Sequence, residues 1–207
     1  MGFAAAVSFC MVCLALSPFI KLFQEGQLGT HLTVLVTVLG TILLGFADDI
    51  LDLQWRYKLI FPFFIIIPLV SMYEGPTHFE VIYPFSLVLG RQLQLGYLYL
   101  FYITCLGIYK TNTINIMAGI NGLEVGQSVV AACSMLLYFF MAGLVKGEAE
   151  KYTYSIVLLM IFLGGAMVLL KDNQYPAKIF IGDTFCYYGG IVLAIAAIYG
   201  TFFIYSG

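Results

Sequence analysis

Charge is what this 207-residue chain has least of: Asp, Glu, Lys and Arg together make up 10% of it. A soluble domain carries about 25%. The formal net charge is −2, and no basic stripe runs through the sequence, which excludes a nucleic-acid partner. The five cysteines, Cys10, Cys13, Cys105, Cys133 and Cys186, lie in or beside apolar runs. Cys10 and Cys13 form a CxxC without a second pair or a neighbouring His, so packing within a helix is expected there and not zinc or redox chemistry. No Asn-x-Ser/Thr sequon, internal repeat or low-complexity tract occurs. The first apolar run lacks a basic leader and a cleavage site, so it reads as a permanent span and not a signal peptide. Its abrupt start at Met1 carries the expectation that further sequence precedes it.

What is abundant is apolar residue, 62% of the chain. A helix crossing the hydrocarbon core needs about 20 mostly apolar residues. Seven runs approach that length: Phe3–Ile20, Leu32–Ala47, Leu59–Tyr73, Tyr97–Tyr109, Val125–Val145, Tyr154–Leu170 and Phe185–Tyr205. Pro62 and Pro68 interrupt the third, which membrane helices tolerate. The fourth is short, but Thr111, Thr113, Ile114 and Ile116 can extend it. The expected fold is an all-α polytopic membrane protein, one membrane domain over 1–207, with about seven transmembrane helices. In the long 74–96 loop, Phe79–Tyr83 and Phe85–Leu89 on either side of Pro84 are expected as a short β-hairpin.

Alternating spans place the loops on two sides. Side A takes 21–31, 74–96, 146–153 and the C-terminus; side B takes 48–58, 110–124, 171–184 and the N-terminus. All Asp (Asp48, Asp49, Asp52, Asp172, Asp183) and all Asn (Asn112, Asn115, Asn121, Asn173) fall on side B. Side A holds Glu25, Glu74, Glu80, Glu148 and Glu150. Lys and Arg do not decide the orientation: Arg56, Lys58, Lys110, Lys171 and Lys178 on side B face Lys21, Arg91, Lys146 and Lys151 on side A. Side B is therefore the chemical face.

Three side B clusters carry candidate chemistry. Asp48-Asp49-Ile-Leu-Asp52 precedes Trp55, Arg56 and Lys58; on a continuing helix Asp48 and Asp52 share a face, and their repulsion calls for a cation such as Mg²⁺, Arg56 or Lys58. The alternative is a solvated helix end. The segment from Asn112 to Glu124 puts three Asn and two Gly where a continuous helix is expected. Such polar backbone at membrane depth is tolerated where it lines a wet site, and Asn offers both a carbonyl for a metal and an amide for a base edge. Ordinary turn formation is the alternative. In the third cluster, Phe180 to Thr184, Asp183 is either an N-cap or a metal ligand. Spans three, five and seven begin on side B, with partly positive N-termini suited to phosphate.

The motifs Asp48-Asp49-Ile-Leu-Asp52-Leu-Gln-Trp-Arg-Tyr-Lys58, Thr111-Asn112-Thr-Ile-Asn115-Ile-Met-Ala-Gly-Ile-Asn121-Gly-Leu-Glu124 and Phe180-Ile-Gly-Asp183-Thr-Phe-Cys186 resemble the polyprenyl-phosphate N-acetylhexosamine-1-phosphate transferases. Gly126-Gln127-Ser128 after the second motif resembles the eukaryotic branch, and the resemblance covers essentially the whole chain. It implies transfer of GlcNAc-1-phosphate from UDP-GlcNAc to dolichyl phosphate, at an endoplasmic reticulum membrane with side B cytosolic, as the first step of N-glycan precursor assembly. It further implies Mg²⁺ on Asn115 and Asp183, substrate phosphate on Lys58, and Asp48 and Asp49 at the reacting centre. Asn121 and the Gly119 backbone would read uracil, Phe180 would stack on it, and Asn112 would shape the site. Implied partners are UDP-GlcNAc, dolichyl phosphate and the bilayer, with a homodimer left open.

Family members begin with a further span and continue past residue 207 with more spans and an Arg- and His-rich loop. The expectation is a fragment of a larger transferase domain, with a catalytically inactive relative acting as a membrane interaction partner as the alternative. Position 52 is Asp where this branch often has Asn. A transporter would place polar residues near mid-span, which this pattern does not.

Overall fold

The structure is a computed structural model describing residues 1–23, 27–81, 83–90, 92–147 and 149–202. Its elements are helices α1 (Gly2–Phe23), α2 (Gln27–Leu51) and α3 (Trp55–Ser71), strand β1 (His78–Glu80), the short helix α4 (Ser86–Leu89), strand β2 (Gln92–Gln94), and helices α5 (Tyr97–Ile116), α6 (Leu123–Lys146), α7 (Ala149–Asn173) and α8 (Asp183–Phe202). The seven long helices match the seven apolar runs, and α5 takes in Thr111–Ile116 as the fourth run allowed. The tail of the last run, 203–205, lies outside the described residues, as do Glu25, Arg91 and Glu148; the side chains of Lys21, Glu80, Lys146 and Lys151 are not described either.

Among the described residues five helices, α1, α2, α6, α7 and α8, are long and apolar enough by themselves to cross a membrane. The helix α3 has 17 residues. At about 1.5 Å per residue that is about 25 Å, short of a hydrocarbon core of about 30 Å.

The second expected strand is a correction. Phe85–Leu89 is not extended: Ser86–Leu89 forms α4, and the antiparallel partner of β1 is β2, with Phe79 opposite Leu93. A run of apolar residues does not by itself separate strand from helical turn.

The helix α8 occupies the centre and packs against α5, α2, α7, α1 and α6. In it 89% of the apolar window is buried, against 28% in α1. Close approach is bought with small residues, as usual between membrane helices. A Cβ on Gly190 would overlap the Lys110 carbonyl of α5, and one on Gly45 would come within 2.6 Å of the Thr184 backbone. Cys10 and Cys13 are free and buried. His31 reaches Cys13, but Nε2 donates to the Cys13 carbonyl (3.0 Å) while Nδ1 meets the Tyr154 hydroxyl at 3.2 Å. The thiols remain packing groups.

Contacts at the helix ends define two faces. On one, the end of α2 meets the start of α8, the start of α3 meets α5, and the start of α6 meets the end of α7. Gly2 joins them through its N–H to the Ile181 carbonyl. This is side B, and the β1–β2 hairpin lies at the other end.

Candidate active site

Asp48 and Asp49 are neighbours in sequence with different tasks. The helix α2 ends at Leu51, where Asp52 adopts a φ of +46°. Short polar residues tolerate that region best. With that turn Asp52 is exposed while Asp48 is buried, so the two do not share a face as expected on a continuing helix. Asp48 Oδ1 accepts the Leu53 N–H (2.9 Å), and its Oδ2 accepts the Tyr187 hydroxyl (3.2 Å) and pairs with Lys58 Nζ at 2.8 Å.

Asp49 turns to α8. Its Oδ1 accepts the Asp183 N–H (2.6 Å), and its Oδ2 accepts the Thr184 N–H (3.1 Å) and hydroxyl (2.5 Å). It thus caps the first N–H groups of α8 from another helix, a favourable place for an anion. The α8 N-terminus expected to be free for phosphate is taken by this carboxylate. Gly182 makes the approach workable, because its φ is +82° and a Cβ there would meet Asp49 Oδ1 at 2.9 Å.

Lys58 stands ahead of the apolar part of α3. Its Nζ is 3.9 Å from Asp183 Oδ2, well beyond its distance to Asp48. Burial alone would lower its pKa. The hydrogen bond and charge of Asp48, with the charges of Asp183 and Asp52, outweigh burial and raise it above the usual lysine value. Asn112, buried on α5, donates Nδ2 to the Lys58 carbonyl (3.1 Å) and to the Ile108 carbonyl (2.9 Å), fixing the backbone from which Lys58 projects.

Asp183 is the more loosely paired carboxylate, because Lys58 sits closer to Asp48. Asn115 faces Asp183, and its Nδ2 is buried outside hydrogen-bond geometry. A loosely paired carboxylate beside a side-chain amide fits a hard divalent cation. Among the described residues no group of three His, Cys, Asp or Glu side chains is arranged to hold a metal. Mg²⁺ does not need one, because it usually binds through one or two carboxylates, substrate phosphates and water.

The loop between α5 and α6 forms the rim. Asn121 and Gly119 are exposed, and Gly119 has a φ of +119°. The Gly119 N–H is taken by Glu124 Oε1 (2.9 Å). Phe180 presents a ring that is 82% exposed. Sequence reasoning missed Asn173 as a site residue. Its Oδ1 accepts the Gly122 N–H (3.0 Å) and its Nδ2 donates to the Ile179 carbonyl (3.2 Å), tying the Gly119–Asn121 loop to the segment bearing Phe180. Tyr187 and Glu124 were missed in the same way. Their signal was proximity to the motifs, four residues past Asp183 and at the foot of the Asn-rich loop.

Helices crossing a bilayer, with a lysine between two carboxylates and an amide-rich rim at one face, define a membrane-embedded enzyme-like site. The family model described as Glycosyl transferase family 4 matches residues 31–201. The chain belongs to that family. It is 39% identical over 192 residues to the UDP-N-acetylglucosamine–dolichyl-phosphate N-acetylglucosaminephosphotransferase of Saccharomyces cerevisiae, covering 88% of this chain and 42% of the relative. To the protein of the same name from Dictyostelium discoideum it is 36% identical over 220 residues, covering 96% and 54%. A phospho-N-acetylmuramoyl-pentapeptide-transferase of Borreliella burgdorferi is 31% identical over 205 residues, covering 87% and 56%. The chain spans about half the length of the curated relatives it matches.

Proposed function

We propose that this site transfers GlcNAc-1-phosphate from UDP-GlcNAc to dolichyl phosphate, giving dolichyl-diphosphate-GlcNAc and UMP. The observation that carries the reading is the Lys58 ammonium, seated between Asp48 and Asp183 beside an amide-rich loop. The names of the eukaryotic relatives supply the substrates. A phosphate monoester has a second pKa near 6 and is largely a dianion at neutral pH. Its obstacle is repulsion from the diphosphate, and phosphoryl transfer rests mainly on positioning and electrostatic stabilisation.

A lipid phosphate oxygen attacks the sugar-bearing phosphorus, a new P–O bond forms, and the bond to the bridging oxygen of UMP breaks. Lys58 offsets charge on the phosphates. Asp48 orients Lys58, and Asp49 fixes the start of α8 from which Asp183 projects. Asn115 and Asp183 would hold Mg²⁺, which supplies further charge neutralisation when bound. Asn121 and the Gly119 carbonyl are assigned to the uracil edge and Phe180 to its face. Localisation follows the same reading: an endoplasmic reticulum membrane with side B cytosolic.

The test is UMP release from UDP-GlcNAc by the purified chain in lipid with dolichyl phosphate, with and without Mg²⁺, beside Lys58→Met and Asp183→Ala. Mg²⁺-dependent release, cut by at least about 100-fold in both variants, is expected. Near-normal turnover in Asp183→Ala sinks the metal assignment, and no release by the wild-type chain sinks the transferase reading.

A further inference from the structure

The face opposite the site carries an apolar segment that the proposed reaction does not use. Between β1 and β2, the described residues 83–90 read Tyr-Pro-Phe-Ser-Leu-Val-Leu-Gly and contain no charge. Tyr83 and Phe85 are exposed, and so are Leu87 (74%) and Val88 (87%) of α4. Exposed large apolar side chains grouped in this way mark an interaction site.

Two observations place it against lipid. The hairpin lies along the side of α5 and does not stand off its end. The Phe79 ring of β1 packs at 5.2 Å from Tyr99 and 5.0 Å from Tyr102, the latter more than a turn inside the helix. The Thr77 carbonyl binds the base of the hairpin to Leu95 and Gly96. On α5 itself, Leu98 and Phe101 are exposed, so the hairpin adjoins a surface that already faces the bilayer. The second observation is the length of α3, whose 17 residues do not reach across the hydrocarbon core. Its far end, Ser71, twelve residues before Tyr83, is therefore held at the depth of the bilayer border.

We propose that residues 83–90 form an interfacial anchor, with Phe85, Leu87 and Val88 entering the leaflet opposite the site and Tyr83 at headgroup level. Tyrosine favours that depth, and short apolar segments bind there by buried area. The partner is the lipid surface itself.

The chain contains a single tryptophan, Trp55, on the site face, which makes the test direct. In a Trp55→Phe background, Val88→Trp is reconstituted in phosphatidylcholine vesicles brominated at shallow acyl positions, beside Leu137→Trp on the lipid-facing side of α6 as reference. The expected result is a blue-shifted emission, with bromolipid quenching at least half that of the reference and little quenching by aqueous iodide. Strong iodide quenching without bromolipid quenching overturns the proposal in favour of a solvated loop. Protection from both quenchers overturns it in favour of a second copy or another protein surface. Leu87→Trp repeats the measurement from the neighbouring position if Val88→Trp does not reconstitute.

Discussion

Asp48 has no oxygen to spare. One accepts a backbone N–H, and the other is shared between the Lys58 ammonium and the Tyr187 hydroxyl. A buried carboxylate in that setting orients a cation. Asp48→Asn should lower UMP release by about 100-fold while the pH profile keeps the wild-type shape. Loss of the acidic limb of the profile in that variant would instead make Asp48 a general base. Asn173 tests a different kind of role, because it touches backbone on two loops and no proposed substrate atom. Asn173→Ala leaves the Gly122 N–H and the Ile179 carbonyl without their partner, at a cost of about 1–3 kcal/mol if they stay buried. The expected kinetic outcome is a raised KM for UDP-GlcNAc with kcat within a few-fold of wild type. A fall in kcat at unchanged KM would show that the staple serves the reacting centre and not the nucleotide rim.

At the level of elements, the acidic doublet shows what a sequence does and does not disclose. Two adjacent Asp at the end of an apolar run were legible as a polar cluster facing the Asp183 motif. Their division of labour was not, because it depends on the turn at Asp52 and on the angle at which α2 meets α8. The fourth apolar run was too short to span until Thr111, Thr113, Ile114 and Ile116 were counted as helix. Thr111 satisfies its own hydroxyl on the Ile108 carbonyl, which makes such residues compatible with the helix interior. The hairpin was half legible. Pro84 marked a turn, but Ser86–Leu89 coils into α4 and the pairing passes to Gln92–Gln94. The α8 cap yields a prediction at this scale. Asp49→Ala should destabilise the folded chain by about 1–2 kcal/mol, the usual worth of an N-cap with its charge. Thermal unfolding in detergent measures it. Thr184→Val removes a donor to the same carboxylate, so the double variant should lose less than the sum of the two singles. Full additivity would mean that the Asp49–Thr184 hydrogen bond contributes nothing.

Across the whole molecule, the partition of Asp and Asn becomes a physical arrangement. Residues from 48 to 184 meet at one face because α8, nearly all buried, sits in the middle and brings its N-terminus to the ends of α2, α5 and α7. Hydrophobic runs revealed the number of helices, but they are silent on which helix is central, since a run facing protein and a run facing lipid are both apolar. The orientation of that face is likewise outside the reach of the loop charges. Single cysteines in a background lacking the five native ones decide it. Trp55→Cys, Tyr175→Cys and Phe180→Cys all stand on exposed residues of the site face. In sealed microsomes a membrane-impermeant maleimide should label these three from the cytosolic side, and Tyr97→Cys at the opposite end only after the membrane is opened. Labelling of Tyr97→Cys in sealed vesicles, with the other three protected, would invert the orientation and leave the proposed site without access to a cytosolic nucleotide sugar. A mixture within the set of three would be more damaging still, because it would separate α3 from α8 and dismantle the face on which Lys58 and Asp183 are brought together.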